Sequence, residues 1–151
     1  MTDRDFVIRP AARSDLPSLM TLYRHLNPTD PVLDEALAEE RFSAILLQPG
    51  MTVFIGYAGD VAAATVTSVV VPNLTRSGAP YGLIENVVTH ADHRKRGYAG
   101  AVIRHAIADA WNAGCYKVML LTGSKNPATL RFYENCGFAQ DKTGYQIRRP
   151  S

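Results

Sequence analysis

The chain has 151 residues, 46% of them hydrophobic and 20% charged, which suits one ordinary globular domain with a sizeable core. Sixteen Lys and Arg against fourteen Asp and Glu leave a net charge of +2, too balanced for a protein that coats nucleic acid or a membrane surface. Two cysteines exclude a disulfide scaffold, and no window approaches the ~18 apolar residues of a membrane span, so a cytoplasmic protein in a reducing compartment is expected.

Phe6 to Arg9 reads as a short strand. A helix capped near Ser14 follows, with Leu16, Leu19, Met20, Tyr23 and Leu26 at three- and four-residue spacing on one buried stripe. Asn27 to Pro31 breaks it, and a second helix carries Leu33, Leu37, Phe42, Ile45 and Leu46 up to Pro49-Gly50. Met51 to Ala58 and Val61 to Pro72 are β-branched runs around the turn dipeptide Gly59-Asp60, the pattern of a hairpin. After a loop of turn formers, Tyr81 to His90 is an apolar strand interrupted by Glu85-Asn86.

A helix from Gly97 to about Ala113 shows Tyr98, Val102, Ile103, Ala106, Ile107 and Ala110 on one face, with Gly114 placed as its left-handed stop. Tyr116 to Gly123 is almost wholly apolar, as expected of a central strand covered on both faces. Asn126-Pro127 starts a helix that Gly137-Phe138 closes in Schellman style. Strands near Phe138 to Gln140 and Tyr145 to Arg148 are expected to complete an α/β sheet. Trp111 reads as core, and His25 and His105 as helix-surface residues.

Three cations, Arg94, Lys95 and Arg96, precede Gly97, where a helix begins. Exposed N–H groups and the positive end of the helix dipole bind phosphate there when no side chain blocks the approach, and Gly97, Ala99 and Gly100 keep it open. Walker and dinucleotide-binding glycine patterns are absent. By residue chemistry alone the stretch is either an anion site or a solvated charge run.

Arg94-Lys95-Arg96-Gly97-Tyr98-Ala99 resembles the Q/R-x-x-G-x-G/A signature of the GCN5-related N-acetyltransferase (GNAT) family, whose loop holds the pyrophosphate of acetyl-coenzyme A. The segment Asn126 to Phe138 is similar to the family's N-x(6)-Y-x(3)-G-F block, and the order of elements matches over nearly the whole chain. The resemblance implies one acetyltransferase domain over residues 1–151. Its expected fold is a mixed central sheet of about six to seven strands, with helices on both faces and a splayed, bulged central strand.

The implied reaction is aminolysis of a thioester by a primary amine, with acetyl-CoA as co-substrate. Glu85, inside an apolar strand and nine residues before Arg94, is the candidate base, with a water relay from Glu85 or His90 as substitute. Leu83 to Val88 breaks clean alternation, which is compatible with a bulge. Val87 and Val88 are then expected to offer backbone N–H groups to the acetyl carbonyl. Tyr133 matches the general acid, and Asn126 reads as helix cap by local sequence and cofactor ligand by resemblance. Arg94, Lys95, Arg96, Gly97, Tyr98, Ala99, Gly100 and Tyr133 complete the expected cofactor contacts, with no metal.

The expected activity is acetyl transfer to a small polar amine, with a non-catalytic acyl-CoA sensor and acetylation of peptide or protein amines as the alternatives. The family's acceptor pocket corresponds here to Tyr23 to Leu33, the loop Asn73 to Tyr81 and the C-terminal hairpin, which carry Arg24, His25, Asp30, Arg76 and Tyr81. A homodimer is expected, and neither nucleic acid nor membrane is an expected partner.

Overall fold

A computed structural model describes residues 5–151. The chain divides into two compact units, Met1–Leu120 and Leu121–Ser151. No helix among the described residues is long and apolar enough to cross a membrane.

The first unit is a five-stranded sheet in the order β1-β2-β3-β4-β5, formed by β1 (Phe6–Pro10), β2 (Met51–Ala58), β3 (Val61–Val71), β4 (Tyr81–Thr89) and β5 (Val118–Met119). The first four strands pair antiparallel and β5 joins β4 in parallel. Alternation along β2 sorts the helices. Val53 and Ile55 pack with Leu19 and Leu22 of α1 (Leu16–Leu26) and Phe42 of α2 (Glu35–Leu47) on one face. Phe54 points the other way, where its ring meets His105 of α3 (Tyr98–Asn112) edge-on.

Tyr98, 1% exposed, anchors α3 by stacking on Phe6 of β1 with centroids 4.2 Å apart. Gly56 makes room for that ring: a Cβ there would sit 2.2 Å from Phe6 Cζ. On the opposite face Asp15 is buried and takes both guanidinium nitrogens of Arg9 (2.6 and 2.9 Å), the Tyr57 hydroxyl (2.6 Å) and the Ala12 amide (2.7 Å). A 3-10 turn over Arg13–Asp15 therefore leads into α1, and Asp15 does the ordering expected of a cap near Ser14.

Asp34 caps α2 through the Leu37 amide, and Gly114 (φ +84°) follows α3 as expected. Three expectations fail. The strand expected from Tyr116 to Gly123 is two residues long and lies at the sheet edge, because only Gly82 and Leu83 of β4 pair with it. Neither Phe138–Gln140 nor Tyr145–Arg148 forms a strand, and Tyr145 and Ile147 are exposed, so among the described residues the sheet has five strands rather than six or seven. Trp111, taken as core, is 52% exposed on the solvent side of α3.

The second unit holds α4 (Pro127–Asn135). Asn126 caps it, accepting from the Ala128 amide at 3.0 Å. At its end Gly137 (φ +103°) bonds back to Glu134 and Phe138 to Tyr133, the reciprocal pair of a Schellman closure.

Candidate active site

The interruption read at Glu85-Asn86 is a bulge. Thr65 pairs with Val88 and Thr67 with Glu85, so Asn86 and Val87 together oppose the single residue Val66, and Asn86 takes φ +52°. Without the extra residue, Glu85 and Val88 would point to opposite faces. With it, both point to the face covered by α1 and α2, where Val88 joins the core and Glu85 is exposed. The carboxylate expected to be buried in the strand thus opens to solvent, and it makes no salt bridge among the described residues.

The bulge also sets the backbone. The His90 amide donates to Ala63 of β3 at 2.8 Å, so in the antiparallel ladder the Val88 amide faces Thr65 and the Val87 amide faces the other edge. On that edge β5 pairs only as far as Leu83, and among the described residues of the first unit no strand covers β4 beyond it. Of the two amides expected as donors, that of Val88 is turned into the ladder and that of Val87 away from it.

Beyond β4, a 3-10 turn over Ala91–His93 leads into Arg94, Lys95 and Arg96, all exposed. Lys95 (φ +64°) and Gly97 (φ +80°) adopt left-handed conformations that turn the chain sharply into α3. No side chain caps this helix, and its first intrahelical bond is Ala101 N–H to Gly97 at 3.0 Å. The amides of Tyr98, Ala99 and Gly100 are thus left without helical acceptors. A Cβ at Gly97 would meet nothing within 4 Å, so the approach is open, and a fifteen-residue helix stands behind it. The donor set fits a diphosphate: three amides without helical acceptors, with cations before them and Arg104, whose guanidinium lies over Gly100. Arg104 was missed in the sequence, although its place one helical turn after Gly100 could have flagged it. Tyr98, 1% exposed, belongs to the core, and its ring is turned away from any anion held by the cations before it.

His25, read as a surface residue, packs on His90 with ring centroids 4.3 Å apart and accepts the Ala91 amide at 3.4 Å. His90 accepts the Asp92 amide through Nδ1 at 3.2 Å and lies 5.5 Å from His93. Partial burial, then the charge of His90 and Arg94, lowers the His25 pKa.

In the second unit, Tyr133 is half-buried between Phe132 and Phe138, with centroids 5.1 and 6.3 Å away. Burial raises its pKa above the usual tyrosine value, so the phenol keeps its proton at neutral pH. The Asn126 side chain is spent on its cap, and its own amide donates to Ser124 Oγ at 3.2 Å.

A cleft of about 1260 Å³ separates α1 and α2, with the connection between them as one wall. Tyr23 lines it and faces Thr67, the residue opposite Glu85. Burial pushes the Tyr23 phenol up, and its interaction with the Thr67 hydroxyl works the other way. Of the residues expected at an acceptor pocket, Arg24 and Asp30 line this cleft. Arg76 instead lies over the Tyr116 ring, and Tyr81 takes Lys117 over its own ring.

The model of the acetyltransferase (GNAT) family matches residues 19–138. A glucosamine 6-phosphate N-acetyltransferase of Trypanosoma brucei brucei is 32% identical over 143 residues, spanning 91% of this chain and 92% of that protein. Glucosamine 6-phosphate N-acetyltransferase 1 of Oryza sativa subsp. japonica is 30% identical over 137 residues, spanning 88% and 81%. A solved structure from Agrobacterium tumefaciens str. C58 is 52% identical over 95% of this chain and 99% of that one, with a TM-score of 0.92.

Proposed function

The chain belongs to the acetyltransferase (GNAT) family and is an N-acetyltransferase, and from that premise we propose that it moves the acetyl group of acetyl-CoA directly onto a primary amine at the polar end of a small acceptor. The observation that carries this reading is the bulge in β4, which turns Glu85 toward the α1–α2 face and the Val87 amide toward the unpaired edge, on the strand that leads into the uncapped start of α3.

In this reading Arg94, Lys95, Arg96 and the Gly97–Gly100 backbone hold the pyrophosphate, and the Val87 amide meets the thioester oxygen as charge develops there. An amine of pKa ~10.4 is about one part in 10³ neutral at pH 7, so the proton Glu85 removes is worth up to about 4 kcal/mol. The neutral nitrogen attacks the thioester carbon, the C–N bond forms and the C–S bond breaks. Tyr133 protonates the departing thiolate, and the second amine proton leaves to solvent. The sum is one amide, one thiol and one released proton. Asn126, whose side chain and backbone are both bonded locally, acts on cofactor binding by fixing the start of α4. We assign both units to one acetyltransferase domain, acting in the cytoplasm as a homodimer.

Coenzyme A release with a panel of amines, run beside calorimetric titration with acetyl-CoA, tests this. Saturable, amine-dependent release supports the enzyme; tight binding of acetyl-CoA with no release above hydrolysis would leave a sensor.

A further inference from the structure

Resting on the acetyl-transfer reading above, we infer that the α1–α2 cleft selects an unphosphorylated amine with an apolar body, an alkyl chain or an aryl group, rather than a sugar phosphate. Three features of the cleft support this.

The first is size and lining. At about 1260 Å³ the cleft exceeds the ~300–1,000 Å³ of pockets that bury drug-sized ligands. Leu16, Met20, Phe42, Val32 and Leu33 make its walls apolar, and Val32 and Leu33 remain 80% and 40% exposed at its lip. Apolar surface left open in this way rewards an apolar body that covers it.

The second is charge. A phosphate needs convergent donors, usually more than one cation. Here the two arginines of the cleft, Arg13 and Arg24, stand eleven positions apart along one nearly continuous helical run. At 1.5 Å per residue their backbones are roughly 16 Å apart, so the two cations do not start side by side on one turn of the helix. Arg76, the other cation expected nearby, is engaged over Tyr116. Glu35 and Glu39, one turn apart on α2, and Asp30 bring three carboxylates to the same cleft. They attract an ammonium and repel a phosphate.

The third is the route. Tyr23 reaches from the cleft to Thr67, directly opposite Glu85, so an amine held by its apolar body in the cleft presents its nitrogen toward the candidate base.

The test is kcat/KM from coenzyme A release with ethylamine, hexylamine, 2-phenylethylamine and glucosamine 6-phosphate. The inference expects about a threefold gain for each methylene that enters the cleft, and hexylamine or 2-phenylethylamine at least tenfold better than glucosamine 6-phosphate. Leu33→Asp, at an exposed position that leaves the core intact, should lower the hexylamine-to-ethylamine ratio at least fivefold. A preference for glucosamine 6-phosphate, or a ratio unmoved by chain length or by Leu33→Asp, overturns the inference and leaves acetyl transfer standing. Release with none of the four, while acetyl-CoA still binds, overturns the acetyl-transfer reading itself and the inference with it.

Discussion

Thr67 and Glu85 stand directly opposite one another across the β3–β4 ladder, so their side chains share the face that α1 and α2 cover. That pairing exists because Asn86 adopts φ +52° and adds a residue to β4. Glu85→Gln keeps shape and removes the base, and the exposed side chain leaves folding untouched. The expected outcome is a fall of about 10²–10³ in kcat/KM with acetyl-CoA affinity unchanged. Loss of both affinity and rate would instead make Glu85 part of the cofactor site.

The start of α3 separates conformation from sterics. Gly97 sits at φ +80° with open space where a Cβ would go, so a substitution there is strained without colliding. Gly97→Val should raise the acetyl-CoA Kd at least tenfold, whereas Gly97→Asn, which tolerates the left-handed region, should raise it only a few-fold. Calorimetric titration of both variants checks the order. Equal losses would mean that side-chain bulk, not backbone strain, blocks the ligand.

Tyr133→Phe preserves the packing against Phe132 and Phe138 and removes only the phenol. A general acid lost this way should lower kcat about 10²-fold or more and leave the melting temperature within a degree or two. If kcat holds, Tyr133 is a core residue of the second unit and the thiolate finds its proton elsewhere.

Periodicity and turn chemistry made most of the first unit legible. The stripe through Leu16, Leu19, Tyr23 and Leu26, the hairpin at Gly59-Asp60 and the Gly114 stop are local signals, and they appear where local rules put them, although the fully buried Leu22 was not read into that stripe. The bulge was visible as broken alternation because an added residue flips the register. What sequence spacing could not carry was contact at a distance. Tyr23 meeting Thr67 across forty-four positions, and the cleft itself, exist only once α1 lies on the sheet. Apolar content misled at β5 and Trp111, since a hydrophobic run does not say whether a neighbour will pair with it or cover it.

Gly56 and Phe6 give a packing prediction. A Cβ at residue 56 would lie 2.2 Å from the Phe6 ring, which must then leave its stack on Tyr98. Gly56→Ala should cost about 1–3 kcal/mol in urea unfolding. In a Phe6→Ala background the same change should be close to neutral, because the obstacle is gone. A full penalty in both backgrounds would place the cost in the strand rather than in the ring.

The Asp15 network predicts how the fold responds to acid. Hydrogen bonding from Arg9 is the largest cause holding the Asp15 carboxyl far below the ordinary aspartate range, and Tyr57 and the Ala12 amide add to it against burial. Its folded pKa is therefore depressed relative to an unfolded value of ~3.9, and between the two values the unfolded chain binds the proton more readily. The stabilisation is fully present above pH ~5 and drains away as pH falls through 4 toward the folded pKa. Asp15→Asn removes it at every pH. The variant should lose about 2–3 kcal/mol at pH 7, as expected for hydrogen bonds to a buried charge, and its stability should vary less than the parent's between pH 5 and 2. Urea midpoints across that range measure both. Parallel acid limbs for parent and variant would mean that carboxylates other than Asp15 set the acid response.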